Sequence, residues 1–280
     1  MTKEKINVLV TGSNGQLGQC LYDIRNNKKH IQWTFTNSKT LDIANKPTIE
    51  KSFENKKFDY VVNCAAYTNV EQAEKEPEKA YKINAEGVKN LAEVCKEFNA
   101  ILIHISTDYV FDGIKQTSYT EEDVPNPINE YGKSKLAGER YVQEILDRYF
   151  IIRTSWLYSQ YGKNFYTTVV KKIEAGEDLK ITTSETGSPT NANDLATFIV
   201  EVILSNSNRY GIYHFSNKGE ATWHDFAYEI VKQTGNFNQI RVEKVENYPT
   251  LAKRPGYSVL DITKCSCIFN IRVSYWQEVI

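Results

Sequence analysis

Short runs rich in β-branched residues alternate with longer segments of helical period through roughly the first 180 positions, the pattern of a parallel sheet covered on both faces. Strands are predicted at residues 6–10, 33–36, 60–63, 101–105 and 150–153, in β-α-β-α order. Between the third and fourth, Ala80, Ile83, Gly87, Leu91, Val94, Cys95 and Phe98 recur at three- and four-residue spacing. That segment lays a wide apolar stripe on the sheet, interrupted by Asn84. A polar residue there must find partners: it orders a water, braces a backbone near residue 135, or ties down a loop, and the structural role is favoured. After about residue 176 the pattern loosens to a strand at 179–182, a helix at 194–204, a strand at 211–215 and a helix at 223–234. The expected division is therefore residues 1–176 as one domain and 177–280 as mainly a smaller mixed lobe, interleaved, with a soft boundary and no internal repeat.

A chain of 280 residues can bury a large core, and with 41% hydrophobic and 25% charged residues it has the composition of a folded globular protein. Lys and Arg number 34 against 35 Asp and Glu, so there is no basic face of the kind nucleic-acid binders carry. No apolar stretch approaches membrane-spanning length, and the N-terminus lacks the order of a signal peptide, so the expectation is a cytoplasmic protein without nucleic-acid or membrane partners. Cys20, Cys64, Cys95, Cys265 and Cys267 are scattered and lack zinc-ligand spacing; they read as reduced, mostly buried thiols.

The first predicted strand runs into Thr11-Gly12-Ser13-Asn14-Gly15-Gln16-Leu17-Gly18, and helical sequence follows. Glycines at 12, 15 and 18 allow a tight turn, close approach to a pyrophosphate and packing of helix on strand, while the free N–H groups of the helix start favour the anion. Strand before and helix after are the context of a dinucleotide site, which makes the fold a Rossmann-like doubly wound parallel sheet. The G-x-x-G-x-x-G spacing resembles the extended short-chain dehydrogenases/reductases. The second strand ends in Thr36-Asn37-Ser38-Lys39, with no carboxylate to repel a 2′-phosphate and one cation nearby. NADPH is thus the expected cofactor, with NADH accepted as well.

Three further segments converge if the sheet is parallel: Ser106-Thr107-Asp108 and Thr154-Ser155-Trp156 at strand ends, and the helix start Tyr131-Gly132-Lys133-Ser134-Lys135. Tyr131 and Lys135 lie four apart and share a helix face. Bringing a phenol of pKa about 10 to neutrality takes roughly 4 kcal/mol, and a fixed ammonium nearby is expected to supply much of it. Lys135 could also hold the nicotinamide ribose. Thr107 offers a hydroxyl to polarise a substrate carbonyl, with Ser106 the alternative. His104, alone in an apolar strand, reads as a core residue, and Cys265 and Cys267 are given no chemistry.

With these motifs in hand, the chain resembles the dTDP-4-dehydrorhamnose reductase family. The resemblance rests on residues 12–18, Val61-Val62-Asn63-Cys64-Ala65-Ala66-Tyr67-Thr68, His104 to Gly113 with its STDYVFDG run, 131–139, Arg153-Thr154-Ser155-Trp156-Leu157-Tyr158 and Gly187-Ser188-Pro189-Thr190. It implies a catalytic triad of Tyr131, Lys135 and Thr107. It implies cofactor contacts from Gly12, Asn14, Gly15, Gln16, Leu17, Gly18, Asp42, Ile43, Ala65, Ala66 and Tyr67 with Tyr131 and Lys135, and contacts from Thr107, Asp108, Tyr131 and Trp156 to a dTDP-sugar. Some family members carry magnesium at a dimer interface through a carboxylate two residues after the third loop glycine. Cys20 stands there, a poor ligand for a hard cation, so no required metal is expected. A monomer or homodimer is the expected assembly. Two other readings share the fold. A sugar dehydratase or epimerase is disfavoured because Asp108-Tyr109 stands where a dehydratase has Asp-Glu, and a non-catalytic dinucleotide-binding subunit is disfavoured by the intact triad.

Overall fold

The apolar run near the N-terminus forms strand β1 (Ile6–Thr11), and the glycine-rich segment behind it turns directly into helix α1 (Gln16–Ile24). The computed structural model describes residues 5–27, 29–54, 56–235, 239–246 and 248–280. In chain order follow β2 (Ile31–Phe35), α2 (Lys46–Glu54), β3 (Tyr60–Asn63), α3 (Val70–Lys75), α4 (Pro77–Tyr81), α5 (Gly87–Glu97), β4 (Ile101–Thr107), α6 (Glu130–Ile145) and β5 (Tyr149–Thr154). The rest contributes β6 (Leu157–Tyr158), α7 (Phe165–Glu174), β7 (Leu179–Thr182), β8 (Thr186–Gly187), β9 (Thr190–Asn191), α8 (Ala192–Ser205), β10 (Gly211–His214), β11 (Ala221–Thr222), α9 (Trp223–Gln233), β12 (Val242–Val245) and α10 (Thr263–Phe269).

Six strands pair in parallel in the order β10-β5-β4-β3-β1-β2, so the sheet is the Rossmann-like one expected from the alternating pattern. The chain winds from β1 to β2 on one side and returns to β3 on the other. The crevice at that reversal, outside the carboxyl ends of β1 and β3, is where ligands of such sheets bind. Alternate residues of each strand serve opposite layers. Val8, Val10, Val62 and Ile103 pack with Leu17 and Leu21 of α1 and Leu195 and Ile199 of α8. Leu9, Val61, Leu102 and Ile151 pack with Ile49 of α2, Leu91 of α5 and Val142 of α6. Each such side chain contributes ~1.5–3 kcal/mol on full burial, and slipping a strand by one residue would exchange the two layers.

Element positions differ from the sequence expectation where pairing decides them. β2 starts at Ile31 because Ile31 pairs with Ile6, and β4 runs on to Thr107 because Thr107 pairs with Thr154 of β5. Helix α8 begins at Ala192, where the Asn191 side chain caps its first turn. The two parts of the chain interleave: β10 extends the central sheet beside β5, and α8 packs on the layer of α1. A separate cluster holds Val169, Ile173, Phe226, Ile230 and Trp276, with the β7–β12 pair at its side. Cys20, Cys95 and Cys265 are buried, Cys64 is half-buried and Cys267 is exposed; all are free thiols. Among the described residues no helix is long and apolar enough to cross a membrane.

Candidate active site

The carboxyl edge of the sheet is built by side chains that join neighbouring strand ends. Thr11 Oγ1 donates to Asn63 Oδ1 at 2.7 Å, the same oxygen accepts from Ala65 N at 3.1 Å, and Asn63 Nδ2 lies 3.0 Å from His104 Nδ1. These bonds hold the segment after β3 against the glycine loop. Gly12 has φ +66°, and a Cβ there would lie 2.6 Å from Ala65 N, so no other residue fits the crossing. His104 is a core residue as expected from its strand, fully buried, with Nδ1 on Asn63; burial, then the Lys135 charge, holds its pKa well below the usual range.

Helix α6 is started by Asn129, whose side chain accepts from Gly132 N at 2.7 Å and donates to Lys253 O at 2.8 Å. A Cβ on Gly132 would lie 2.1 Å from Tyr109 O, so the glycine lets α6 press onto the turn after β4. Tyr131 thereby faces the end of β4, where the Thr107 hydroxyl acts on its phenol, and its ring meets Tyr109 edge-on at 5.8 Å. Lys135, 2% exposed, donates from Nζ to Ile105 O at 2.6 Å. Thr107 Oγ1 donates to Asp108 Oδ1 at 3.0 Å and accepts from Tyr109 N at 3.2 Å.

A cleft of about 540 Å³ brings the expected groups together. Its walls include Asn14, Gly15, Gln16 and Leu17 on one side, Ala66 after β3, and Thr107, Asp108, Tyr131, Lys135 and Trp156 on the other. Gly12, Gly18, Asp42, Ile43, Ala65 and Tyr67 do not border it. Gly12 and Gly18 shape the loop from behind. Asp42 caps its own turn through Ala44 N at 3.0 Å, and Ile43 is buried in the layer of α2 and α5. Asn84 sits in a π-helical turn between α4 and α5 and resolves the question the sequence left open. Its amide clamps Tyr67 through N and O at 2.8 and 2.9 Å and donates to Ser134 Oγ at 3.0 Å, beside Lys135. It braces a backbone.

The electrostatics depart from the sequence expectation at one point. The four-residue spacing predicts that Lys135 depresses the Tyr131 phenol, but burial pushes Tyr131 up to about 12, with Thr107 pulling down and Asp108 adding to the rise. Burial also lowers Lys135 to about 8, opposed by the charge of Glu139. The reason is desolvation, which disfavours both charged forms, together with the Lys135 amine being held by a strand carbonyl. A phenol that keeps its proton at neutral pH is the form a proton donor requires.

Several residues of the site carried no role at the sequence level. Glu139, one helical turn beyond Lys135, forms a buried pair with Arg153 of β5 and accepts from Ser106 Oγ at 2.5 Å. Its i+4 spacing from Lys135 was the available signal. Trp156, with φ +45°, stacks flat on Trp223 at 3.6 Å and 4°, so one face of the ring expected to meet a sugar is covered. Trp223 Nε1 in turn donates to Glu185 Oε2 at 2.7 Å. Gln16 donates to Leu157 O, and its Oε1 accepts from Ser159 and Asn164, tying the glycine loop to the segment after Trp156. Cys20 of α1 is fully buried, and among the described residues no cluster of three His, Cys, Asp or Glu is placed to hold a metal.

The residues fit a dinucleotide on structural grounds: the cradle at Gly12 and Gly18 has no room for side chains, and α1 starts at Gly15 without a side-chain cap. Comparison with known proteins agrees. The family model described as the RmlD substrate binding domain matches residues 6–280. The chain is 37% identical over 281 residues to the dTDP-4-dehydrorhamnose reductase of Aggregatibacter actinomycetemcomitans, spanning 97% of this chain and 96% of that one. It superposes on the Bacillus anthracis dTDP-4-dehydrorhamnose reductase solved in complex with NADP, with a TM-score of 0.93, 37% identity and coverage of 98% and 96%. The Thermus thermophilus UDP-glucose 4-epimerase in complex with NAD shares the fold alone, at a TM-score of 0.83 and 18% identity, with coverage of 98% and 96%.

Proposed function

The chain belongs to the RmlD family of dTDP-4-dehydrorhamnose reductases, and from that premise we propose that it reduces the C4 ketone of dTDP-4-dehydro-6-deoxy-L-mannose to dTDP-L-rhamnose, using NADPH and accepting NADH. The observation that carries the reading is the meeting of Thr107, Tyr131 and Lys135 on one cleft wall, opposite the glycine loop. When bound, the dinucleotide supplies the hydride. Gly12, Gly15, Gly18 and the start of α1 hold its pyrophosphate, with Asn14, Gln16, Leu17 and Ala66 along it and Asp42, Ile43, Ala65 and Tyr67 shaping the adenine and nicotinamide ends. Exposed Lys39 after β2 favours a 2′-phosphate.

Thr107 hydrogen-bonds the ketone oxygen, and Tyr131 delivers its proton to that oxygen as charge develops there. Lys135, anchored on Ile105 O, orients the nicotinamide ribose hydroxyls. Asp108 and Trp156 meet the sugar. Tyr109 is buried against Tyr131 and offers no carboxylate for the elimination step of a dehydratase. We place the protein in the cytoplasm, with a soluble nucleotide sugar as its partner and a monomer or homodimer as its working form.

The test is to generate the 4-keto-L-sugar nucleotide from dTDP-glucose with upstream enzymes, add the protein with NADPH or NADH, and identify the product by NMR. Stoichiometric loss of NADPH absorbance with formation of dTDP-L-rhamnose is expected; cofactor recycled without net oxidation would defeat the reading. Tyr131→Phe should bind NADPH within about threefold of the parent and lose turnover by roughly 10²–10⁴-fold.

A further inference from the structure

The Thr107 hydroxyl, which acts on the Tyr131 phenol, opens a hydrogen-bonded path into the interior. Thr107 Oγ1 reaches Asp108 Oδ1 at 3.0 Å, and Asp108 Oδ2 accepts from Ser258 Oγ at 2.6 Å. Asp108 and Ser258 are each 2% exposed, yet Asp108 also borders the cleft. The side-chain partners of the carboxylate are thus two hydroxyls rather than a cation. Tyr109 faces it from its own turn and Tyr131 from α6, while the charges of Arg254 and Glu185 act on Tyr109. A carboxyl desolvated in this way binds its proton more tightly than in water: burial raises Asp108 to about 7, against the pull of Ser258 and Thr107.

We propose that Asp108 is the proton reservoir of this site, resupplying Tyr131 through the Thr107 hydroxyl after each reduction. The inference rests on the reductase reading and adds a step to it. Hydride reduction of a ketone consumes one proton, which leaves Tyr131 as phenolate. The Asp108 O–H then breaks as its proton passes to Thr107 Oγ1, while the Thr107 O–H breaks as its own proton passes to the phenolate oxygen. Tyr131 is restored, Asp108 is left as carboxylate, and no electrons are transferred. Asp108 regains its proton from water in the cleft it borders, and the balance closes at one solvent proton per turnover. Asp108 acts through Thr107 and is a positioning and relay residue, distinct from the groups that touch the reacting atoms. Ser258, from a segment 150 positions away, holds the far oxygen and so aims the near one at Thr107.

Two measurements on Asp108→Asn and Ser258→Ala test the relay. In the ligand-free protein, ¹³C NMR of labelled aspartate should show one carboxyl that titrates near neutrality, is missing in Asp108→Asn and moves to higher pH in Ser258→Ala. In stopped flow with NADPH bound and keto sugar saturating, the first turnover of Asp108→Asn should fall several-fold less than its later turnovers, because Tyr131 is already protonated. Its steady-state rate at neutral pH should fall by about tenfold or more and lose its dependence on pH near 7. The relay is overturned if the Asp108 carboxyl titrates in the ordinary carboxylate range or if Asp108→Asn keeps the parent steady-state rate. It is equally overturned if the first turnover slows as much as the later ones, which is the behaviour of a residue that only positions substrate. A parent protein that never oxidises NADPH with the keto sugar overturns the reductase reading itself, whatever the titration shows.

Discussion

Removing one member of the buried pair between Glu139 and Arg153 should destabilise the protein far more than removing both. Arg153 Nε donates to the two carboxylate oxygens at 3.0 and 3.2 Å, and Nη2 donates to Oε2 at 2.7 Å. Neither residue is more than 1% exposed, and the guanidinium lies 5.2 Å from the Phe111 ring centroid. Glu139→Gln keeps the volume and leaves a desolvated cation without its counter-charge, at a cost of about 3–5 kcal/mol. At roughly 2–4 °C per kcal/mol for a chain of this size, the melting temperature should fall on the order of 10 °C. Arg153→Met should cost a similar amount by stranding the carboxylate. The double replacement Glu139→Gln with Arg153→Met leaves no buried charge at either position, so it should be less destabilised than either single, a coupling of about 3–5 kcal/mol or more. Circular dichroism melts and urea titrations of the four proteins measure this. A second consequence follows at Lys135, whose charge Glu139 supports against burial. In Glu139→Gln the Lys135 ammonium should lose its proton at lower pH, and NADPH affinity should weaken at the basic end first. If Glu139→Gln melts within about 2 °C of the parent, or the double costs the sum of the singles, the desolvation argument is wrong.

The pH dependence of stability should carry the signature of Asp108. Its folded pKa is raised above the unfolded value, so between about 4 and about 7 the folded state binds the extra proton and the parent loses stability as pH rises. Urea titrations across that window should show Asp108→Asn gaining on the parent with pH, and a constant difference would remove the shifted carboxyl. Gly12→Ala places a Cβ 2.6 Å from Ala65 N at φ +66°, so it should lower stability by on the order of 1–3 kcal/mol and abolish NADPH binding, as read by melting and fluorescence titration. Retained binding would place the dinucleotide elsewhere. Trp223→Ala removes the partner stacked 3.6 Å from Trp156, so the KM for the nucleotide sugar should rise roughly tenfold while the NADPH dissociation constant is unchanged. An equal effect on both ligands would mean that the pair supports the fold as a whole.

Residues close in sequence disclosed most of what could be read before folding. The spacing Gly12, Gly15, Gly18 between a strand and a helix located the tight turn proposed to cradle the dinucleotide, and the four-residue step from Tyr131 to Lys135 put both on one face of α6. The five apolar runs became neighbouring strands of one parallel sheet, so their carboxyl ends converged as the β-α order implied. Asp42 and Ile43 follow β2 at a position that suits the adenine end of a dinucleotide, and the folded chain adds that the Ile43 side chain packs in the core between α2 and α5.

Periodicity and turn chemistry are local, so they suffice for the strand–loop–helix that opens the chain, the layered architecture and the face shared by the phenol and the amine. Packing decided the rest. Only the folded chain sets β10 beside β5, lays Trp223 on Trp156, brings Ser258 to Asp108 and closes Glu139 on Arg153, contacts spanning between 14 and 150 positions. Packing also decided the sign of the Tyr131 shift: a lysine one helical turn away can be counted from spacing, but the water stripped from a phenol depends on every element that covers it, and here that loss is the largest cause.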